Sequence, residues 1–86
     1  MKGVLYLADL NFKIVKALGV IGEPTKTGWT TELNVVAWFD KEPVYDIRAW
    51  SPEHTRCGKG ISLNANTLKD LQSLLNSVEI NELGKK

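Results

Sequence analysis

Apolar and polar residues alternate along the middle of the chain, and the period changes once near its end. From Phe12 to Ile21 (FKIVKALGVI), Phe12, Ile14, Leu18 and Val20 fall on one side of an extended chain, and Lys13, Val15 and Ala17 on the other. This is the period-two signature of a strand. Lys16 interrupts the apolar side, which predicts a bulge or register change there. The segment Gly22–Gly28 (GEPTKTG) has the composition of a loop. A second strand is predicted over Trp29–Phe39. Leu33, Val35, Ala37 and Phe39 form its more apolar side, expected to face the core, and Glu32, Asn34, Val36 and Trp38 form the other. Asp40–Glu42, followed by Pro43, predicts a hairpin turn.

The third predicted strand is Val44–Trp50, with Tyr45 and Ile47 expected on the core side. A polar loop, Ser51–Gly58 (SPEHTRCG), leads to a short fourth strand, Gly60–Leu63. The period then becomes helical. Asn64 has the chemistry of an N-cap, and Leu68, Leu71, Leu74, Leu75 and Val78 make one apolar stripe that fades near Glu79. The first ten residues, MKGVLYLADL, fit an extra strand, a helical turn or a loose arm. The division is an N-terminal arm of unknown role (1–11), one domain (12–79) and a frayed tail (80–86). The order β-β-β-β-α predicts an α+β domain, a four-stranded antiparallel sheet with its helix on one face. Arg48, Trp50, Trp38 and Lys13 are expected together on the other face.

A length of 86 residues allows one domain with a modest core, and domains of this size commonly gain stability by pairing. Five apolar residues on the helix exceed what a four-stranded sheet covers. Leu71, Leu74, Leu75 and Val78 are therefore expected to seal a two-fold interface, giving a homodimer. The net charge is only +1, so a nucleic-acid partner must be argued from where the charges lie. The single cysteine, Cys57, allows no disulfide within the chain and suits a reducing compartment. The apolar stretch Val4–Ala8 is too short to span a membrane or serve as a secretory core, so a cytoplasmic location is the default.

Cations beside aromatic rings are the chemistry that holds single-stranded nucleic acid. Charges track the phosphates and rings stack on exposed bases, each stack contributing roughly 1–3 kcal/mol. The competing reading is that the tryptophans pack in a dimer interface or under a loop. Asp46 and Arg48 share a strand face, as an ion pair or with Asp46 orienting Arg48 for phosphate. Cys57-Gly58-Lys59-Gly60 resembles the end of a phosphate-binding loop, but Ser51–Arg56 holds no glycine and no Ser or Thr follows Lys59. The mononucleotide reading therefore fails. His54 and Cys57 lie in one loop with no third orienting group, so an enzyme is not expected. One histidine and one cysteine do not fill a metal site, and no cofactor is expected.

The run PVYDIRAW (Pro43–Trp50) followed by GKGISLN (Gly58–Asn64), with Gly28-Trp29, Glu32-Leu33-Asn34 and Trp50-Ser51-Pro52, resembles the transcriptional positive cofactor four family, in its bacterial and phage-like branch. The resemblance covers Phe12 to Val78. It implies a curved four-stranded antiparallel sheet with one helix, a homodimer with helices at the interface, and binding of single-stranded DNA with little sequence preference. It assigns DNA contacts to Arg48, Trp50, Lys59 and Lys16, and to Trp38 or Phe39 at the end of the second strand. The acidic, serine-rich and basic N-terminal tail of eukaryotic members is missing, and Asp40-Lys41-Glu42 is less basic than their matching turn. The expected site therefore comprises Lys13, Lys16, Arg48, Arg56 and Lys59 for phosphates and Trp29, Trp38 and Trp50 for bases, in transcription, replication or repair. RNA in place of DNA, and a protein-interaction module using exposed tryptophans, are the other readings.

Overall fold

In the computed structural model, which describes residues 5–6 and 11–80, one antiparallel sheet is followed by one helix. The strands are β1 (Leu5–Tyr6), β2 (Phe12–Ile21), β3 (Thr30–Trp38), β4 (Val44–Trp50) and β5 (Arg56–Leu63), and the helix is α1 (Ala65–Asn76). Their spatial order is β1-β5-β4-β3-β2. The four long strands form a meander of consecutive antiparallel pairs, as the alternation predicted. β5 begins four residues earlier than the predicted Gly60 start. Its extra length carries the partner of β1, which pairs Leu5 with Cys57 and Tyr6 with Arg56. Of the three readings of the N-terminal residues, the extra strand is therefore realised at positions 5 and 6. The rest of the arm through residue 10, and the tail beyond Ile80, lie outside the described residues.

The break expected at Lys16 is present. The β2–β3 register slips between Ile14 and Lys16, and again between Ala17 and Gly19. Bulges bend a strand and increase its twist, and this sheet is strongly bent. Phe12 pairs with Trp38 and Trp50 with Thr30, eight residues apart along β3. On a flat sheet that separation is about 27 Å. The Phe12 and Trp50 rings nevertheless lie 5.1 Å apart, centroid to centroid. The sheet face carrying them is closed on itself.

This curvature reverses the expected core. The residues buried in the single chain include Glu32, Asn34 and Val36 of β3 and Asp46 and Trp50 of β4, whereas Leu33, Val35, Tyr45 and Ile47 are only half-buried. Phe39 lies beyond the strand and is exposed. On the opposite, convex side the helix adds little cover. It does sit on the Leu33–Tyr45–Ile47 side, as predicted, but loosely. A groove of about 420 Å³ lies between sheet and helix, lined by Ile21, Leu33, Tyr45, Ile47, Leu71 and Leu75 among others, and no residue of α1 is buried. Helix formation itself follows the local signals. The Asn64 side chain accepts the Thr67 backbone N–H at 2.8 Å, satisfying one of the free N–H groups of the first turn. At the other end Ser77 donates from its hydroxyl to the Leu74 carbonyl at 2.8 Å.

Candidate nucleic-acid interface

The closed face is organised around Trp50. Its ring lies 5.1 Å from Phe12, 6.5 Å from Trp38 in a near-parallel arrangement, and 5.6 Å from His54 at 25°. It is fully buried. Such ring pairs contribute about 0.5–1.5 kcal/mol each beyond their burial. The indole N–H groups of Trp38 and Trp50 and the Asn34 side-chain oxygen are buried without a hydrogen-bond partner among the described residues. A buried polar atom without a partner costs about 1–3 kcal/mol.

Beside the rings runs a polar network. Asp46, fully buried, accepts from Arg48 Nε at 2.7 Å, from Arg48 Nη2 at 2.8 Å and from Ser62 Oγ at 2.9 Å. Arg48 also donates to the Gly58 carbonyl at 3.3 Å, and its guanidinium carbon lies 4.6 Å over the Trp38 ring. Burial alone would lower the Arg48 pKa, but Asp46 more than offsets this and holds it above its ordinary value. Burial pushes the Cys57 thiol up, against the pull of Arg48. The Arg48 side chain crosses β5 over Gly60, its register partner. A Cβ at Gly60 would stand 2.3 Å from Arg48 Cβ and from the Ile47 carbonyl, so only glycine fits.

A second network closes the 51–55 loop. Glu32 Oε2 accepts from the Thr30 hydroxyl at 2.6 Å, and Oε1 from the Asn34 amide at 3.0 Å. His54 Nε2 lies 2.8 Å from Oε2 and 3.1 Å from Oε1. Burial alone would raise the Glu32 pKa. The hydrogen bonds from Thr30, Asn34 and His54 and the attraction of His54 overcome it and hold the carboxyl below its usual range.

The expected site residues divide among different surroundings. Arg48, Trp38 and Trp50 are brought together, but Trp50 is enclosed rather than presented. Its expected base-stacking surface is occupied by Phe12, Trp38 and His54. Lys13 is not on this face. It pairs with Ala37, which places it on the helix side, because the register is set by Phe12 opposite Trp38. Lys16 pairs with Val35 on that same side. Lys59 is exposed in the irregular stretch between the Arg48–Gly60 and Trp50–Cys57 pairs. Trp29, half-buried, lies under the Arg56 guanidinium carbon at 5.2 Å, at the loop end of the sheet.

Three participants, Phe12, Glu32 and His54, lie outside the set of residues expected to contact DNA. The alternation places Phe12 on one side of its strand, and its place opposite Trp38 follows only from the register. Glu32 and His54 are 22 residues apart, and nothing local couples them. The resemblance leaves Trp38 and Phe39 as alternatives at the end of the second strand. Their surroundings differ: Trp38 lies under Arg48, and Phe39 is 52% exposed with a left-handed backbone, φ 50°. Among the described residues no three His, Cys, Asp or Glu side chains are grouped to hold a metal ion, and no helix is long and apolar enough to cross a membrane.

Two comparisons bear on this arrangement. The chain is similar over 72 residues, at 33% identity and covering 84% of each protein, to an uncharacterized protein of Treponema pallidum (strain Nichols). The pattern of the family described as Transcriptional Coactivator p15 (PC4) matches residues 25–74. That span holds β3, β4, β5 and most of α1, and with them Arg48, Asp46, Gly60 and both central tryptophans. The meander, the helix after it and this match together establish that the chain belongs to the Transcriptional Coactivator p15 (PC4) family.

Proposed function

We propose that this chain is a homodimeric single-stranded DNA-binding protein of low sequence preference, acting as a coactivator-like factor in transcription, replication or repair. One observation carries the reading: a cluster of aromatic rings on one sheet face, with Arg48 lying over Trp38, inside the segment that matches a DNA-binding coactivator family. Phe39, Trp29 with Arg56, and Lys59 border that cluster or lie at the ends of its strands, where a strand of DNA has access. Stacking needs exposed base faces, so unpaired DNA is preferred over duplex. On this reading the chain is a binder and not an enzyme. The imidazole of His54 is committed to Glu32 and Trp50, and the Cys57 thiol is buried. The test is fluorescence anisotropy of a labelled oligothymidine at two salt concentrations, with a duplex control. Single-strand preference and a log–log salt slope of about −0.7 per phosphate neutralised are expected. Absence of binding at low salt would overturn the proposal.

A protein-docking role is the second reading, and the structure moves its basis. The tryptophans are enclosed or half-buried, so they do not serve as exposed anchors. What favours docking instead is the exposed apolar side chains Val15, Leu18 and Val20 on the edge strand β2. Apolar docking is nearly insensitive to salt, so the same titration separates the two.

A further inference from the structure

We infer that His54 is a built-in stand-in for a nucleobase: in the free protein its ring holds the stacking position on Trp50, and a bound DNA strand displaces it. The inference rests on the single-strand-binding reading above and adds to it a closed state and a residue that keeps it closed.

Four observations converge on His54. Its ring stacks on Trp50 at 5.6 Å and 25°, an arrangement a base would adopt on an indole. Its Nε2 is tied to both oxygens of Glu32, which is itself fixed by Thr30 and Asn34. The ring is thus aimed by a buried carboxylate and not simply dropped on the surface. Its backbone is left-handed, φ 60°, a region that few non-glycine residues enter, although histidine does so more often than most. Finally, Trp50 is wholly covered while its indole N–H has no partner among the described residues. The closed state leaves a donor unused that a phosphate or base oxygen would satisfy.

The loop is hinged so that the ring can leave without the loop unfolding. The Ser51 carbonyl accepts the His54 N–H at 2.9 Å, and the Ser51 hydroxyl accepts the Thr55 and Arg56 N–H groups at 3.2 and 3.0 Å. Ser51 is fully buried. These bonds involve the loop backbone and Ser51 only, and none requires the imidazole. The His54 side chain, by contrast, is 40% exposed, so it has a path into water, and the Trp50 surface it uncovers is taken up by the incoming base. The exchange replaces one ring on Trp50 by another, and the net affinity for DNA is lowered by whatever the His54 contacts contribute.

The variant His54→Asn keeps the left-handed backbone and removes the ring. Glu32→Gln keeps the ring and weakens its tether. Two readouts are taken on each: the solvent-exchange rate of the Trp50 indole N–H by NMR, its signal assigned with Trp50→Phe, and the affinity for a labelled oligothymidine. His54→Asn is expected to exchange that proton at least tenfold faster. It is also expected to bind the oligonucleotide roughly three- to tenfold more tightly, the range of one ring pair. Glu32→Gln should fall between it and the unmodified protein. Accelerated exchange with unchanged or weaker binding would make His54 a prop for Trp50 and overturn the inference, as would unchanged exchange. If the unmodified protein binds no oligonucleotide, the functional reading itself fails, and the exchange rates alone then decide whether His54 covers Trp50.

Discussion

At the scale of single residues, the chain places bulky side chains where backbone geometry resists them. Phe39 and Asp40 have φ values of 50° and 65°, and Lys41 N–H donates to the Trp38 carbonyl at 2.8 Å. This is a tight hairpin turn with both central residues left-handed, a position that favours Asn and Gly. A phenylalanine there, 52% exposed, gains little from burial and carries strain of about 1 kcal/mol or more. Strain of this kind with no packing return points to a role for the ring. Phe39→Asn is therefore expected to raise stability by about 0.5–1 kcal/mol in urea unfolding. In the oligothymidine titration it should weaken binding by about 1–3 kcal/mol, one stacked base. Unchanged affinity would remove Phe39 from the interface.

At the scale of elements, β4 and β5 are joined by a side chain that crosses between them. Arg48 lies across β5 because Gly60 leaves the space, and Asp46 fixes both guanidinium edges of that side chain. A methyl group at Gly60 meets backbone as well as side chain, so it cannot be accommodated by a rotamer change. Gly60→Ala is expected to destabilise the domain by about 3 kcal/mol or more, the range of overpacking combined with loss of a buried ion pair. Thermal unfolding reads the loss directly, and a melting temperature within a degree or two of the unmodified protein would refute this account. The pairing of strands was legible in the sequence: β2 and β4 were bounded to the residue, β3 to within one at either end, and Asn64 as the cap. The side facing the interior was not. Alternation marks Leu33, Tyr45 and Ile47 as the apolar side, which they are, but burial depends on curvature, and curvature comes from slips at Ile14–Lys16 and Ala17–Gly19. Only the first of these left a mark, Lys16. Lys13 was misplaced for the same reason, since a face can be assigned to β2 only once its register against β3 is known. The site was legible as a list of residue types and illegible as an enclosure, because Glu32–His54 and Phe12–Trp50 are contacts of fold rather than of spacing.

At the scale of the whole molecule, the chain has two faces in opposite conditions. One is closed by its own rings and ion pair. The other is half finished, with a groove beneath α1, Leu75 at its edge, and Leu74, Val78, Ile80 and Ile61 all about half exposed or more. A helix with no buried residue does not hold its place on a sheet by its own packing, and contiguous apolar surface of this kind marks an interface. In the proposed homodimer a second copy would supply the identical patch, and the apolar stripe on α1 is self-complementary in composition, as a two-fold contact requires. The doubled variant Leu74→Asp, Val78→Asp is expected to halve the mass seen by light scattering at micromolar concentration. It should leave the strand signals of the circular dichroism spectrum in place, since the closed face of the sheet does not depend on α1. The consequence for DNA then separates cooperation from mere proximity. Two linked sites raise the affinity for an oligonucleotide long enough to reach both. The monomeric variant should therefore lose affinity for a long oligothymidine, by tenfold or more, and keep that for one too short to span two subunits. Equal losses on long and short strands would mean that the partner subunit completes each site and does not simply duplicate it.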